Sequence, residues 1–88
     1  MQTSRLIIDV REPFEFESGH VDGAINIPPS VMMAGLPPEL ADAPKDTEII
    51  LYCLSGSRSN VSMHFLRQYG FTNLINGINK QQIEARFL

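Results

Sequence analysis

Two stretches of the chain are apolar without alternation. Leu6-Ile-Ile-Asp-Val10 and Glu48-Ile-Ile-Leu-Tyr52 are apolar at all but one position each and rich in β-branched or aromatic residues, the pattern of strands covered on both faces, as in a parallel sheet. Shorter runs at Ile25-Asn26-Ile27 and Asn73-Leu74-Ile75 predict two further strands, with Asn76-Gly77 read as a turn after the last. Helical signals fall between them. Pro13 to Ser18 opens on a proline and stops at Gly19, which predicts one or two helical turns. A short helix is expected around 30–35, a second turn around 38–41, and a surface loop from there to Thr47. From Ser59 to Gly70 the spacing sets Val61, Phe65, Leu66 and Tyr69 on one sheet-facing side, and Lys80 to Phe87 closes the chain with Ile83 and Phe87 inward at i and i+4. Val31, Met32, Met33 and Leu36 are apolar positions in this section, and the two methionines are assigned to the core, with the rim of a pocket as the alternative. The β-α-β-α-β-α-β-α order predicts a small open α/β domain with a mainly parallel sheet and helices on both faces, a single domain over 1–88.

The chemistry concentrates at the end of the second long strand. Cys53, the only cysteine, is followed by Leu54-Ser55-Gly56-Ser57-Arg58 and then a helix. Thiolate rather than thiol is the nucleophile, and a free cysteine with pKa about 8.5 is mostly protonated at neutral pH. A strand, a small-residue loop and a helix place the sulfur beside N–H groups that no carbonyl satisfies. The helix dipole, the amides of 54–58 curling as an anion nest, and the Arg58 guanidinium are the expected stabilisers of the charge, with Gly56 permitting the curl. The alternative is a cysteine that merely fills space at the end of a core strand.

Asp9 and Arg11 emerge at the carboxyl end of the first strand, where open α/β sheets bind ligands, so both long strands should face one crevice. Two roles are open for this pair: placing charge near the sulfur, or a structural ion pair, the latter favoured because Glu12, Glu15 and Glu17 are close in sequence. His20 reads as a turn-fixing residue. His64 lies about 9 Å along its helix from the loop, too far to act on Cys53. A cysteine hydrolase, which needs an oriented histidine base, is therefore disfavoured.

These residues resemble the rhodanese (sulfurtransferase) family, in its minimal single-domain form. LIIDVREPFEFESGHVDGAINIP at 6–28 is similar to that family's first signature, YCLSGSRS at 52–59 to its active-site loop, and YGFTNLINGI at 69–78 to its closing strand and turn. The resemblance implies a cysteine that takes a sulfane sulfur from a donor such as thiosulfate, holds it as a persulfide, and passes it to a thiol or cyanide. Cys53 would carry the sulfur, Leu54, Ser55, Gly56, Ser57 and Arg58 would cradle it, and Asp9 and Arg11 would support the site. No metal or organic cofactor is implied. Partners are small sulfur donors and acceptors, or a protein that donates or accepts sulfur. Non-catalytic interaction modules of the same type are the runner-up reading, disfavoured because the cysteine is kept. A cysteine phosphatase or arsenate reductase is less well matched, since only four residues separate Cys53 from Arg58, one fewer than a loop around phosphate requires. Leu54 stands where many active relatives carry a polar or basic residue, which makes the mouth less cationic and thiosulfate a poorer donor. Asn76 stands for the first glycine of a usual Gly-Gly pair, and the family's tryptophan is absent. The family's leading strand and helix are absent too, leaving a bare sheet edge, so a monomer or weak homodimer is expected.

Composition narrows little further. The 88 residues are 43% hydrophobic and 19% charged with net charge −3, and without a basic stripe nucleic acid is not an expected partner. No apolar run approaches the roughly 20 residues that span a bilayer. Met1 to Arg5 leads straight into a strand with no signal peptide pattern. The lone cysteine fits a reducing compartment, so the cytoplasm is expected, with the periplasm as the alternative if a signal peptide has been removed.

Overall fold

A computed structural model of the chain describes residues 5–88; the leader reading of Met1 to Ser4 lies outside the described residues. In chain order the elements are β1 (Leu6–Asp9), α1 (Pro13–Glu17), β2 (Ile25–Asn26), α2 (Pro29–Ala34), a 3-10 turn (Pro38–Leu40), β3 (Ile49–Cys53), α3 (Ser57–Gln68), β4 (Leu74–Asn79) and α4 (Lys80–Arg86). The four strands form one sheet in the order β2-β1-β3-β4, and every pairing is parallel.

The unbroken apolar run of β3 is explained by its position, since all five of its residues are buried. Strand alternation divides it between two cores. Ile49, Leu51 and Cys53 join Ile8, Val10, Met32, Met63, Leu66 and Phe71 on the side of α2 and α3. Ile50 and Tyr52 join Val21 and Ile83 on the side of α4. Each fully buried Ile or Leu contributes about 1.5–3 kcal/mol, so β3 is the element whose burial stabilises the sheet most.

Helix α3 starts at Ser57, two residues before the expected start, because Gly56 adopts φ 93° and serves as its N-cap, and Asn60 N–H already donates to Gly56 C=O at 3.0 Å. Its buried positions are Ser59, Ser62, Met63 and Leu66, a face turned away from the one expected. Val61 is half exposed, while Phe65 and Tyr69 are only partly buried against the core. Leu66 is shared with the expected face, but Met63 takes the inward place expected of Val61, and the two small serines lie buried beside these apolar residues. In α2, a six-residue helix touching the core with one face, Met32 is buried as expected, whereas Met33 is exposed against its assignment to the core, as Val31 and Leu36 also are. Thr47, placed in a surface loop by sequence, is buried.

The last strand also differs from expectation. Asn76-Gly77 is not a turn: β4 continues to Asn79, with Leu51 opposite Asn76 and Tyr52 opposite Ile78, so Gly77 is the extra residue of a bulge. Ile78 is held at φ 76°, a strained conformation for a β-branched residue. The Asn76 side chain accepts the Ile78 N–H at 3.0 Å and donates to Gly56 C=O at 2.9 Å. It thereby fixes the bulge and ties it to the loop after Cys53. Asn79 then caps α4, accepting from Gln82 N–H at 2.9 Å.

Glycine at position 77 is a packing requirement. A Cβ there would overlap the Ile83 Cδ1 and stand 2.9 Å from Ile50 Cγ2, both in the second core. Gly77→Ala is expected to cost about 1–3 kcal/mol, seen as a lower urea midpoint with an unchanged slope.

Candidate active site

Cys53 ends β3 with its side chain 1% exposed. The chain then curls through Gly56, whose left-handed φ brings its N–H back to Cys53 Sγ at 3.1 Å. Burial is the largest influence on the thiol and pushes its pKa up. It is outweighed only by the combined effect of the Ser59 hydroxyl, the next largest influence, and the N–H groups of Ser59, Gly56 and Ser55, so the net shift is downward. The Ser59 hydroxyl is fully buried and has no regular hydrogen-bond partner among the described residues. The group it is positioned to serve is the sulfur, with the greatest gain when the sulfur is charged.

Of the loop assigned from sequence to the cradle, the structure brings Ser55 and Gly56 to the sulfur through their amides. Leu54 turns its side chain to solvent, 59% exposed. The Ser55 and Ser57 hydroxyls lie 3.2 Å apart at the surface. Arg58, expected to stabilise the thiolate, points instead to Glu15 in α1, with N–H donors 2.8 and 3.2 Å from its two carboxylate oxygens. Its pKa is raised first by that bond, against burial, then by the Glu15 charge and only after that by Cys53. Beside this turn Pro29, Ser57, Arg58 and Val61 line a cleft of about 200 Å³.

Asp9 and Arg11 form a structural pair on the opposite face of the sheet. Asp9 shares the side of Tyr52, whose hydroxyl donates to Asp9 Oδ2 at 2.8 Å and accepts the Val21 N–H at 3.0 Å. Arg11 Nε and Nη2 donate to both Asp9 oxygens at 2.6–3.0 Å, and Nη2 also reaches Gly19 C=O at 2.7 Å. Asn26 Nδ2 closes the network on the Asp9 and Arg11 carbonyls at 3.0 and 2.9 Å. The partner of Arg11 is thus Asp9 rather than Glu12, Glu15 or Glu17, and the pair locks the turn after α1 to the sheet. His20 stacks on Phe16 at 3.7 Å with Nδ1 2.9 Å from Phe16 C=O, and His64 is exposed on α3.

Sequence reasoning missed Ser59, Glu15 and Asn76 as parts of the site. The sequence marks Ser59 only as a helix start, and what turns its hydroxyl toward the sulfur is the left-handed curl at Gly56. Glu15 is 43 residues from Arg58, and no local pattern links them.

A family model for the rhodanese-like domain matches residues 1–82. A sulfurtransferase of Allochromatium vinosum is 32% identical over 71 residues, covering 81% of this chain and 63% of that protein. A probable adenylyltransferase/sulfurtransferase, MoeZ, of Mycobacterium tuberculosis is 37% identical over 70 residues, covering 80% of this chain and 17% of that protein. The chain thus spans less than two thirds of either relative. Among solved structures, a rhodanese with anions from E. coli superposes with a TM-score of 0.75 at 30% identity, covering 91% of this chain and 92% of the other.

Two outcomes follow from the electrostatics. Iodoacetamide alkylation of Cys53 should titrate below the ordinary thiol value of 9.0, and Ser59→Ala should move it upward without loss of stability, because the hydroxyl removed has no regular hydrogen-bond partner. A fall in urea stability with unchanged titration would make Ser59 purely structural. Arg58, followed by the Glu12 N–H, depresses Glu15 from 4.5 to about 2. A depressed carboxylate stabilises the fold above its unfolded pKa, so this contribution should be present above 4.5 and lost as pH falls through about 2. Glu15→Gln should flatten the stability profile over that window in urea titrations.

Proposed function

The chain belongs to the rhodanese-like domain family, and on that premise we propose that it is a sulfurtransferase working through a Cys53 persulfide. The observation that carries the proposal is the Gly56 N–H on Cys53 Sγ at 3.1 Å, within a loop that lowers the thiol pKa despite burial. Such a loop stabilises a sulfur anion, which both the attacking thiolate and a persulfide present.

With thiosulfate as donor, the Cys53 thiolate attacks the outer sulfur, the bond from that sulfur to the sulfonate sulfur breaks, and sulfite leaves with the electron pair. The persulfide so formed carries one negative charge. Its terminal sulfur stands about 2 Å beyond Sγ, which moves the reactive atom outward from a buried position. In the second step cyanide or a thiolate attacks that terminal sulfur, and thiocyanate or a new persulfide departs while the Cys53 thiolate is restored. Charge and electrons balance in both steps without an oxidant or reductant. The chain contains no second cysteine, so no internal thiol discharges the persulfide and an external acceptor is required.

Intact mass after incubation with thiosulfate or an organic thiosulfonate should rise by about 32 Da, one sulfur atom, and return after cyanide with release of thiocyanate. Cys53→Ser should gain no sulfur and lose turnover by at least about 1,000-fold, since a serine hydroxyl stays protonated at neutral pH. Absence of the adduct with both donors, or equal turnover by the serine variant, would remove the proposal.

A further inference from the structure

Arg58 occupies the first turn of α3, where a free guanidinium would add a full positive charge to amides that already favour an anion. Its charge is instead closed off. Both Glu15 oxygens accept from it, at 2.8 and 3.2 Å, and Glu15 Oε1 also accepts the Glu12 N–H at 2.8 Å, which fixes the carboxylate in place. The Glu15 side chain is only 17% exposed, and that of Arg58 32%. Apolar side chains share the rest of the mouth with the Ser55 and Ser57 hydroxyls: Leu54 and Val61 are 59% and 50% exposed, and Pro29, Ser57 and Val61 line the cleft beside Arg58.

We propose that Glu15 is a specificity residue: by holding Arg58 in an ion pair it denies a cation to dianionic sulfur donors, and leaves the site to donors whose sulfur rides on an apolar body of lower charge. This rests on the sulfur-transfer reading above. Thiosulfate brings two negative charges to a mouth where the Arg58 charge is neutralised by Glu15. An aryl thiosulfonate brings one, with a ring that suits the apolar cleft. Its reaction has the same form: the Cys53 thiolate takes the terminal sulfur, the sulfur–sulfur bond of the donor breaks, and an aryl sulfinate leaves with the electron pair.

The test uses the whole chain, wild type and Glu15→Gln, with two readouts. Inorganic sulfate, a dianion that transfers nothing, is titrated while the amide resonances of Gly56 and Ser57 are followed. Kinetic kcat/KM is then compared between thiosulfate and benzenethiosulfonate with cyanide as acceptor. Freed Arg58 should tighten sulfate binding about tenfold and raise the thiosulfate-to-thiosulfonate ratio by a similar factor. The double variant Glu15→Gln with Arg58→Gln should return both to near wild type, which distinguishes released charge from altered packing. Unchanged sulfate affinity and an unchanged ratio in Glu15→Gln would overturn the proposal, as would a gain that persists in the double variant. If no donor loads Cys53 in any variant while sulfate still binds more tightly to Glu15→Gln, the sulfur-transfer reading falls and the control of Arg58 by Glu15 stands.

Discussion

A sulfur atom buried at the end of β3 is the constraint on which the rest of the structure depends. Cys53 is 1% exposed, and burial alone would keep it a neutral thiol. Three amides and one hydroxyl together offset the burial and bring the thiol pKa below its ordinary value, and they converge because Gly56 takes a left-handed turn between β3 and α3. Fixed dipoles are suited to this task. They need no reorganisation when the charge appears, and they favour whichever sulfur atom, thiolate or persulfide, occupies the focus.

The loop must in turn be held, and both neighbouring strands contribute. Asn76 joins the Gly56 carbonyl to the bulge in β4, so the curl around the sulfur is anchored across the sheet rather than by the loop alone. On the far side, Tyr52 is bonded to Asp9 and Val21, immediately before Cys53 in the chain. Burial, with the Asp9 carboxylate, pushes the Tyr52 hydroxyl up to about 12, so it remains a neutral donor to Asp9 across the physiological range. The Asp9, Arg11 and Tyr52 network therefore positions the strand that carries Cys53 from the opposite face of the sheet.

The features legible in the sequence were those set by local chemistry. Unalternating apolar runs identified β1 and β3, proline and glycine bounded α1, and a glycine three residues after a cysteine marked the curl. Features decided by tertiary contact were not legible. The phase of α3 puts the small polar Ser59 and Ser62 inside beside Met63 and Leu66, whereas a reading by hydrophobicity turns Val61 inward. Asn76-Gly77 has the residues of a turn and the role of a bulge, because Ile50 and Ile83 leave no room for a side chain at position 77. Arg58 looked like a ligand for the sulfur until Glu15, from a distant element, claimed it.

That last contact bears on how an anion is chosen rather than merely attracted. A guanidinium acts on any negative charge over a distance of about a Debye length, roughly 8–10 Å in ordinary salt. Amides and a hydroxyl act over the length of a hydrogen bond and only along their axes. With Arg58 paired to Glu15, the recognition left near Cys53 is the short-range kind. A mouth of that design discriminates by where the single charge of a sulfur atom sits, not by how much charge its carrier bears. Apolar side chains at Leu54 and Val61 extend the same logic outward, since they reward a carrier with a hydrocarbon surface and offer nothing to a small hydrated dianion.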